Sequence, residues 1–423
     1  MEVRQMRKRT GVTIAAALLM TGGAVVTGIA SAQETPKPAA KGSASSGAAK
    51  DRGGMVLVQS NDPKANSILA FRRATNGKLT ATGVFKTGGR GGSQKDNPFD
   101  PLASQESLVF DKAHRTVLVV NAGSNTVTTF RVRGERLVDP QTVASGGYFP
   151  TSIAVRGTSV FVLNAGGKTN VTGFELTSAG LKKVSGSTRE LGVTNAVVPL
   201  FTDSPPQVGF TPNGKQLLVS TKSKNTIEVF EVDGVGRLSA EAVSTTSVGA
   251  VPFSFVFDKN EHLLMTEAGN SGVSSYTVEK NGTLKAITRS VESGQKVLCW
   301  IARAGDFFYG TNPGSSTISQ YIVDDKGHVG LGGKQGVIAD AGGAAAVKEV
   351  AEAEAGAAKA PGAGPIDLAA TADGKLLYVQ NTLAGTVEGF QVGADGSLKL
   401  VTTLKTGLPV FKNGSGMEGI VVW

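Results

Sequence analysis

The sequence predicts an all-β chain folded as one seven-bladed β-propeller, closed by its C-terminal strand in blade one. A unit of about 45 residues recurs, and each copy carries short runs that alternate apolar and polar residues, as in NTVTTFRV and NTIEVFEV. Several short strands per unit at such a period are typical of propellers and exclude solenoids of paired helices. The composition agrees, because 56 glycines and 18% charged residues suit a turn-rich β protein.

An aromatic residue in the third strand of each unit counts the blades. The seven positions are Phe71, Phe130, Phe174, Phe230, Tyr276, Tyr321 and Phe390. The first unit lacks an inner strand, since it opens directly at the second strand with MVLVQSN. The last segment, GSGMEGIVVW (residues 414–423), aligns with the inner strands of the other units and supplies the missing one. We therefore expect the two ends of the propeller to pair and close the ring.

Three segments fall outside the repeat. Residues 1–32 read as a signal peptide, with basic residues, an apolar core and an Ala-Ser-Ala cleavage pattern. Residues 33–54 are rich in Ala, Ser, Pro and Lys and predict a flexible linker, and residues 55–423 are assigned to the propeller. An alanine-rich insert at 340–364 separates blades six and seven, either as a short helix or as a mobile loop.

The export signal predicts a secreted, extracytoplasmic protein, with association with the cell wall as an open alternative. Removal of residues 1–32 lowers the formal charge from +9 to +6, and the remaining basic residues form no block of the kind that binds nucleic acid. We expect no membrane span after cleavage. The single Cys299 excludes an internal disulfide, and no His, Cys and carboxylate set has metal-ligand spacing, so neither a metal nor a cofactor is expected.

The repeats YVQNTLAGTVEGF and VVNAGSNTVTTF resemble the YVTN-type units of the seven-bladed lactonase family, which includes 6-phosphogluconolactonase and carboxymuconate-lactonising enzymes. The resemblance covers residues 55–423 and implies a lactonase, a carboxylic-ester hydrolase, or a lactonising enzyme. It does not extend to the family's catalytic residues. Where a histidine is expected the chain has Ser104, Gln105 and Glu106, and where an Arg-His pair is expected it has Pro206 and Gln207.

A site is predicted at the channel mouth, where the inner strands begin. Three carboxylates there, Glu106, Asp367 and Glu418, come from neighbouring blades and would raise one another's pKa, so one of them could act as a general base. Capping of backbone amides is the alternative role. The ligand-binding candidates at this level are Ser107, Ser152, Gln207, Ser254, Trp300 and Arg303.

Other conspicuous residues have structural explanations. Trp300 either stacks on a sugar-like ring or fills the channel, and Cys299 is interpreted as a small buried residue. The three histidines lie at hairpin turns, where solvated side chains are expected, and an asparagine that recurs at one blade position is interpreted as a turn former.

Two functions stay open from the sequence. In the first, the propeller binds a small lactone or sugar-acid-like ligand at the channel mouth and hydrolyses it. In the second, it is a non-catalytic propeller that binds a protein or glycan at the cell surface. The sequence names neither the ligand nor the oligomeric state.

Overall fold

The repeats form antiparallel sheets that radiate from a central axis. The computed structural model describes residues 53–333, 336–343, 362–412 and 414–423, and it contains seven such sheets. Five sheets have four strands, whereas the outer strand is split in two in blades three and six. The predicted seven-bladed propeller is confirmed. Residues 1–52 and 344–361 lie outside the described residues, so the signal peptide, nearly all of the linker and most of the 340–364 insert stay predictions.

The strands of blades one to four, in chain order, are β1 (Gly54–Gln59), β2 (Ser67–Arg73), β3 (Leu79–Lys86), β4 (Leu108–Asp111), β5 (Thr116–Asn121), β6 (Thr126–Arg133), β7 (Arg136–Ala144), β8 (Tyr148–Arg156), β9 (Ser159–Gly166), β10 (Lys168–Thr177), β11 (Gly180–Lys183), β12 (Arg189–Thr194), β13 (Val208–Phe210), β14 (Gln216–Thr221), β15 (Thr226–Glu231) and β16 (Val243–Thr246). The rest are β17 (Pro252–Phe257), β18 (Leu263–Glu267), β19 (Gly272–Val278), β20 (Leu284–Glu292), β21 (Trp300–Ala304), β22 (Phe307–Asn312), β23 (Thr317–Val323), β24 (Val329–Leu331), β25 (Val337–Asp340), β26 (Pro365–Ala370), β27 (Leu376–Asn381), β28 (Thr386–Val392), β29 (Leu398–Leu404) and β30 (Glu418–Val422).

The core is divided among the interfaces between blades. The second strands, such as β5 (TVLVVN) and β14 (QLLVST), are buried along their whole length, because each sheet is covered on both faces by its neighbours. Seven separate apolar clusters result, one for each pair of adjacent blades. The seven aromatic residues that counted the blades are all buried, between 0% and 4% exposed.

The two ends of the propeller meet in blade one, as expected. Strand β30 pairs antiparallel with β1, with Val58 opposite Ile420 and Val56 opposite Val422. Beyond the strand, Met55 and Trp423 exchange two backbone hydrogen bonds of 2.9 and 3.0 Å. The Trp423 ring stacks on Phe110 of blade two, with ring centroids 4.0 Å apart. Closure therefore joins the ends of the chain and also fixes blade one against blade two.

The recurring asparagines are turn formers, as the sequence indicated. Asn121 donates from Nδ2 to the hydroxyls of Thr126 (3.1 Å) and Thr128 (2.9 Å), across the turn that joins the second and third strands of blade two. Asn312 makes the equivalent bond to Ser319 Oγ, 2.8 Å long, in blade six. Repetition of one arrangement in different blades is a property of the fold and marks no ligand site.

Candidate functional site

The seven inner strands line a central channel, and all of them begin at the same end of it. One of the long connections crosses that end. Residues 93–105, called the plug segment below, lie between β3 and β4 and reach the opposite side of the ring. Trp300 donates from Nε1 to Ser104 O (2.8 Å), and the Gln105 side chain exchanges two hydrogen bonds with the Ile301 backbone, 3.0 and 3.1 Å long. The predicted mouth is therefore closed by the protein's own backbone.

Four of the small polar residues predicted to bind ligand are buried near the closed end and bonded within or between blades. Ser152 Oγ accepts from Val208 N (3.2 Å), and Gln207 exchanges bonds of 3.1 and 2.6 Å with the Phe255 backbone. Ser107 donates to Gln59 Oε1 (3.3 Å), and Ser254 donates to the Cys299 carbonyl. All four side chains are at most 4% exposed. The structure thus gives them a role in joining blades, and it does not place them at an open mouth.

Trp300 fills space at this end. It is 1% exposed, its ring lies edge-on to Phe253 with centroids 5.1 Å apart, and its N–H is occupied by the plug segment. Of the two roles that the sequence left open, channel filling is the one that the geometry supports. Cys299 is likewise buried at 4% exposure, and burial raises the pKa of its thiol, so it is not prepared to act as a nucleophile.

The other end of the channel is open. A cavity of about 290 Å³ extends from the level of Gln105 and Glu106 toward the ends of the inner strands, and we call it the channel cavity. Most of the side chains that line it are apolar, and polar atoms also face it. Its polar side chains are Gln105, Glu106, Arg303 and Asp367. A concave apolar site with a few convergent polar groups is the usual form of a small-molecule site.

The fold brings the three predicted carboxylates close to one another and to Asp100 of the plug segment. Negative charge on Glu106 raises the pKa of Asp367, and negative charge on Asp367 raises that of Glu418, although burial is the largest cause in both groups. Leu102 N donates to both Asp100 Oδ1 (2.9 Å) and Glu418 Oε2 (3.1 Å), and the other oxygen of each carboxyl is buried with no donor among the described residues. Burial raises the pKa of both carboxyls, and the negative charge of Asp100 raises that of Glu418 further. Glu418 is 0% exposed, so it is closed off from any ligand.

Asp367 has the capping role that was the alternative for these carboxylates. Its Oδ1 accepts from its neighbour Leu368 N (2.9 Å), and its Oδ2 accepts from Ile420 N of blade one (3.2 Å). Burial nevertheless raises the pKa of this carboxyl well above its ordinary value. Its side chain lines the channel cavity while tying blade seven to blade one.

Glu106 differs from the other two. It is partly exposed to the channel cavity, and its side chain has no hydrogen-bond partner among the residues that the structure describes. Burial among apolar walls raises its pKa to about 7 from an ordinary value of 4.5. The backbone holds the residue at φ +64°, a left-handed conformation that non-glycine residues adopt only when the surroundings enforce it. The fold therefore presents one unbonded carboxyl that titrates near neutrality.

Arg303 lies at the far end of β21 and lines the channel cavity. Its Nε donates to Gly305 O (2.8 Å), and the guanidinium lies 6.0 Å from the centroid of the Phe308 ring. None of the ion pairs formed by described residues involves Arg303, so the charge is available to an anionic group in the cavity.

The histidines are bonded at hairpin turns, each to an aspartate close before it in the chain. His262 Nδ1 lies 2.7 Å from Asp258, His328 Nδ1 lies 2.9 Å from Asp324, and His114 pairs with Asp111. They belong to different blades and do not converge. Among the described residues, no three His, Cys, Asp or Glu side chains are arranged to hold a metal ion. No helix formed by those residues has the length and apolarity needed to cross a bilayer.

Two buried charged residues in or beside the plug segment were missed in the sequence. Asp100 lies in the connection GGRGGSQKDNPFDP, and Lys222 lies in the turn TKSKN, where charged residues are ordinarily solvated. In the structure they are 1% and 6% exposed. The proline-rich NPFDP pattern hinted at an ordered loop, but no local signal showed that this loop folds back over the channel.

Comparison with known proteins agrees with this architecture. A family model for the seven-bladed β-propeller lactonases matches residues 175–301, which run from blade three into blade six. Sequence comparison with curated proteins returned no match.

Solved structures of similar fold cover most of this chain. A protein from Lactobacillus plantarum is 14% identical, with 88% of this chain and 99% of that chain covered and a TM-score of 0.63. A putative 6-phosphogluconolactonase from Bacteroides uniformis is 16% identical (87% and 99% covered, TM-score 0.62), and a periplasmic gluconolactonase from Pseudomonas aeruginosa is 17% identical (86% and 98%, 0.61). At these identities the likeness concerns the fold. The family match and the shared fold together show that the chain resembles the seven-bladed β-propeller lactonases.

Proposed function

We propose that this propeller binds a small lactone in the channel cavity and hydrolyses it, with Glu106 as the general base. The observation that carries the proposal is the Glu106 carboxyl, which faces the cavity, has no protein partner within the described chain and titrates at a pKa of about 7. A base with a pKa near the working pH combines a substantial ionised fraction with a useful proton affinity. Two structural neighbours, a gluconolactonase and a putative 6-phosphogluconolactonase, guide the choice of the first substrates to test.

The chemistry needs only water and residues that line the cavity. Ionised Glu106 takes a proton from a water molecule as its oxygen attacks the lactone carbonyl carbon. The ring C–O bond then breaks, and the proton passes to the alkoxide that leaves, which yields a hydroxy acid. Asp367, whose two oxygens accept from Leu368 N and Ile420 N, holds blade seven to blade one at the wall of the cavity. Arg303 supplies positive charge for an acidic substituent or for the product carboxylate.

The test is an assay of the purified protein on glucono-δ-lactone, 6-phosphogluconolactone and γ-butyrolactone, with spontaneous hydrolysis subtracted. We expect Glu106→Gln to lower kcat/KM by a factor of roughly 10² to 10⁴. The exposed Glu241→Gln is the matched control and should leave kcat/KM unchanged. The wild-type kcat/KM should rise with pH and level off above about pH 7, the pKa of Glu106. Turnover that survives in Glu106→Gln would contradict the assignment of the base.

A second candidate function rests on the closed end of the channel. Because the plug segment is bonded to blade six and occupies the predicted mouth, that face presents loops around a mostly apolar pocket. Such a face suits a non-catalytic propeller that binds a protein or a glycan. Absence of turnover on all three lactones, combined with binding of the purified protein to isolated cell-wall glycan, would favour this function over hydrolysis.

A further inference from the structure

A second cavity lies on the other side of the plug segment and shares no lining residue with the channel cavity. It has a volume of about 140 Å³ and is walled by the plug segment and by the loops of blades three to six, and we call it the lysine pocket. Its rim is formed by partly exposed apolar side chains, namely Phe99, Phe201, Val251, Ala268 and Val297. Its floor contains Phe253, Trp300 and Lys222, which are 3%, 1% and 6% exposed. The pocket is open to solvent at the rim and apolar inside.

The ammonium of Lys222 is poorly compensated by the protein. Its hydrogen bond, to Ala103 O, is long at 3.4 Å, and it forms no ion pair with any residue that the structure describes. The Nζ atom lies 5.2 Å from the centroid of the Phe253 ring. Since both Ala103 and Phe253 line the pocket, the ammonium lies at its wall. A lysine more than nine-tenths buried in apolar surroundings is costly unless an anion pairs with it.

The charges around Lys222 do not replace such an anion. Burial lowers the pKa of Lys222 to about 8, and the nearby charges of Asp100 and Asp203 offset only part of this shift. Asp100 Oδ1 accepts from Leu102 N of the plug backbone (2.9 Å), and no ion pair among the described residues joins Asp100 to Lys222. The Cys299 thiol keeps its proton. Lys222 therefore stays mainly protonated at pH 7 with no carboxylate in contact.

The size and walls of the pocket restrict the rest of the ligand. A cavity of about 150 Å³ lined by apolar side chains accommodates one benzene ring, and the lysine pocket is close to that volume. The Phe253 and Trp300 rings offer flat aromatic surface at its floor. Aliphatic acids of the same charge would leave this surface in poorer contact, because aromatic rings gain from edge and offset packing on one another.

We propose that the lysine pocket binds a small aromatic carboxylate, whose ring packs on Phe253 and Trp300 and whose carboxylate pairs with the Lys222 ammonium. Binding removes apolar rim surface from water and supplies the missing counter-charge in a site of low dielectric, where a charge-assisted hydrogen bond is strong. The site is independent of Glu106 and of lactone hydrolysis, since the plug segment separates the two cavities.

Titration of the full chain with sodium benzoate, followed by tryptophan fluorescence, tests the proposal. The chain has two tryptophans, and only Trp300 lines the pocket, so Trp300→Phe should abolish the signal while the Trp423 emission is kept. We expect saturable binding of benzoate and binding at least tenfold weaker for benzyl alcohol, which has the same ring and no charge. This comparison uses only the wild-type protein, so it holds even if a variant fails to fold.

The role of the ammonium is tested with Lys222→Met, which keeps the length of the side chain and removes the charge. Binding of benzoate should weaken at least tenfold, and binding of benzyl alcohol should be unchanged or tighter. Lys215→Met, a change at an exposed lysine close by in the chain, should bind benzoate like the wild type. Equal affinity for benzoate and benzyl alcohol, or undiminished benzoate binding by folded Lys222→Met, would overturn the proposal.

Discussion

Replacement of Glu106 by glutamine should make the folded protein more stable at alkaline pH. The pKa of Glu106 is about 7 in the folded protein against an ordinary value of 4.5. Each unit of pKa difference corresponds to about 1.4 kcal/mol, so the full difference is worth about 3 kcal/mol. Because the carboxyl is partly exposed to the channel cavity, this figure is an upper value.

The direction of this pH dependence is set by which state, folded or unfolded, holds the Glu106 proton more tightly. The folded protein keeps the Glu106 proton up to about pH 7, whereas the unfolded chain releases it near pH 4.5. Stability that depends on this proton is fully present below pH 4.5, is lost as the pH rises toward 7, and stays lost above it. Glutamine resembles the protonated carboxyl and carries no such penalty. Burial raises the pKa of Asp367 and Glu418 in the same sense, so the wild type should lose stability over this range.

The assay is urea unfolding of the wild type and Glu106→Gln at pH 5 and pH 8. The advantage of the variant in free energy of unfolding should grow by about 2 kcal/mol between the two pH values, from the linkage of one proton. Part of this gain comes through Asp367, because the Glu106 charge raises the pKa of that carboxyl. The gain from Glu106→Gln should therefore be smaller when Asp367→Asn is also present. Glu241→Gln, at an exposed position, should show no pH-dependent difference. An advantage that does not change with pH would refute the buried, unpaired carboxyl described here.

Three further changes test the closure of the ring and of the channel. Ile420→Ala removes a side chain that is 4% exposed in the closing strand and should lower the free energy of unfolding by about 2–5 kcal/mol, measured by urea unfolding. Gly419→Ala should lower the free energy of unfolding by at least about 1 kcal/mol, because Gly419 has φ +61° and an added Cβ would lie 2.4 Å from Ser107 Oγ. A melting temperature equal to that of the wild type would argue against this close approach. Gln105→Ala leaves the Ile301 N–H and C=O unpaired and should lower the free energy of unfolding by roughly 1–3 kcal/mol. Amide hydrogen exchange at Ile301, measured by NMR, should become faster, and unchanged exchange would contradict the bridge across the channel.

The sequence was sufficient for the architecture, because the features that define it are local and repeated. The third-strand aromatic, such as Phe130, marks each blade, and the Asn121 turn marks the step to that strand. The closing pair could be predicted as well, since blade one lacked an inner strand and the last ten residues matched the missing element. Repeated patterns average out the ambiguity of any single strand.

The site was less predictable, because its character depends on where one long connection travels. Gln207 directly precedes the inner strand β13 and Ser152 lies within β8, yet their side chains are buried between blades and the mouth is covered by the plug segment. Nothing in the spacing of residues 93–105 states which neighbour they will contact. The burial of Lys222 was equally hard to predict, since a lysine in a polar turn becomes buried only when another segment packs over it. Burial of this kind is a property of tertiary contacts alone.

The plug segment has a consequence for how the ring comes apart. In a ring closed only at one seam, rupture of that seam would free the blades on either side of it. Here Gln105 and Ser104 tie the entry to blade two across the diameter to Ile301 and Trp300 of blade six, so the two sides of the ring are braced against each other. Loss of β30 would leave this brace in place. Unfolding that starts at the seam must therefore break the diametric contact before blades two to six can separate, which favours loss of those five blades as one cooperative unit.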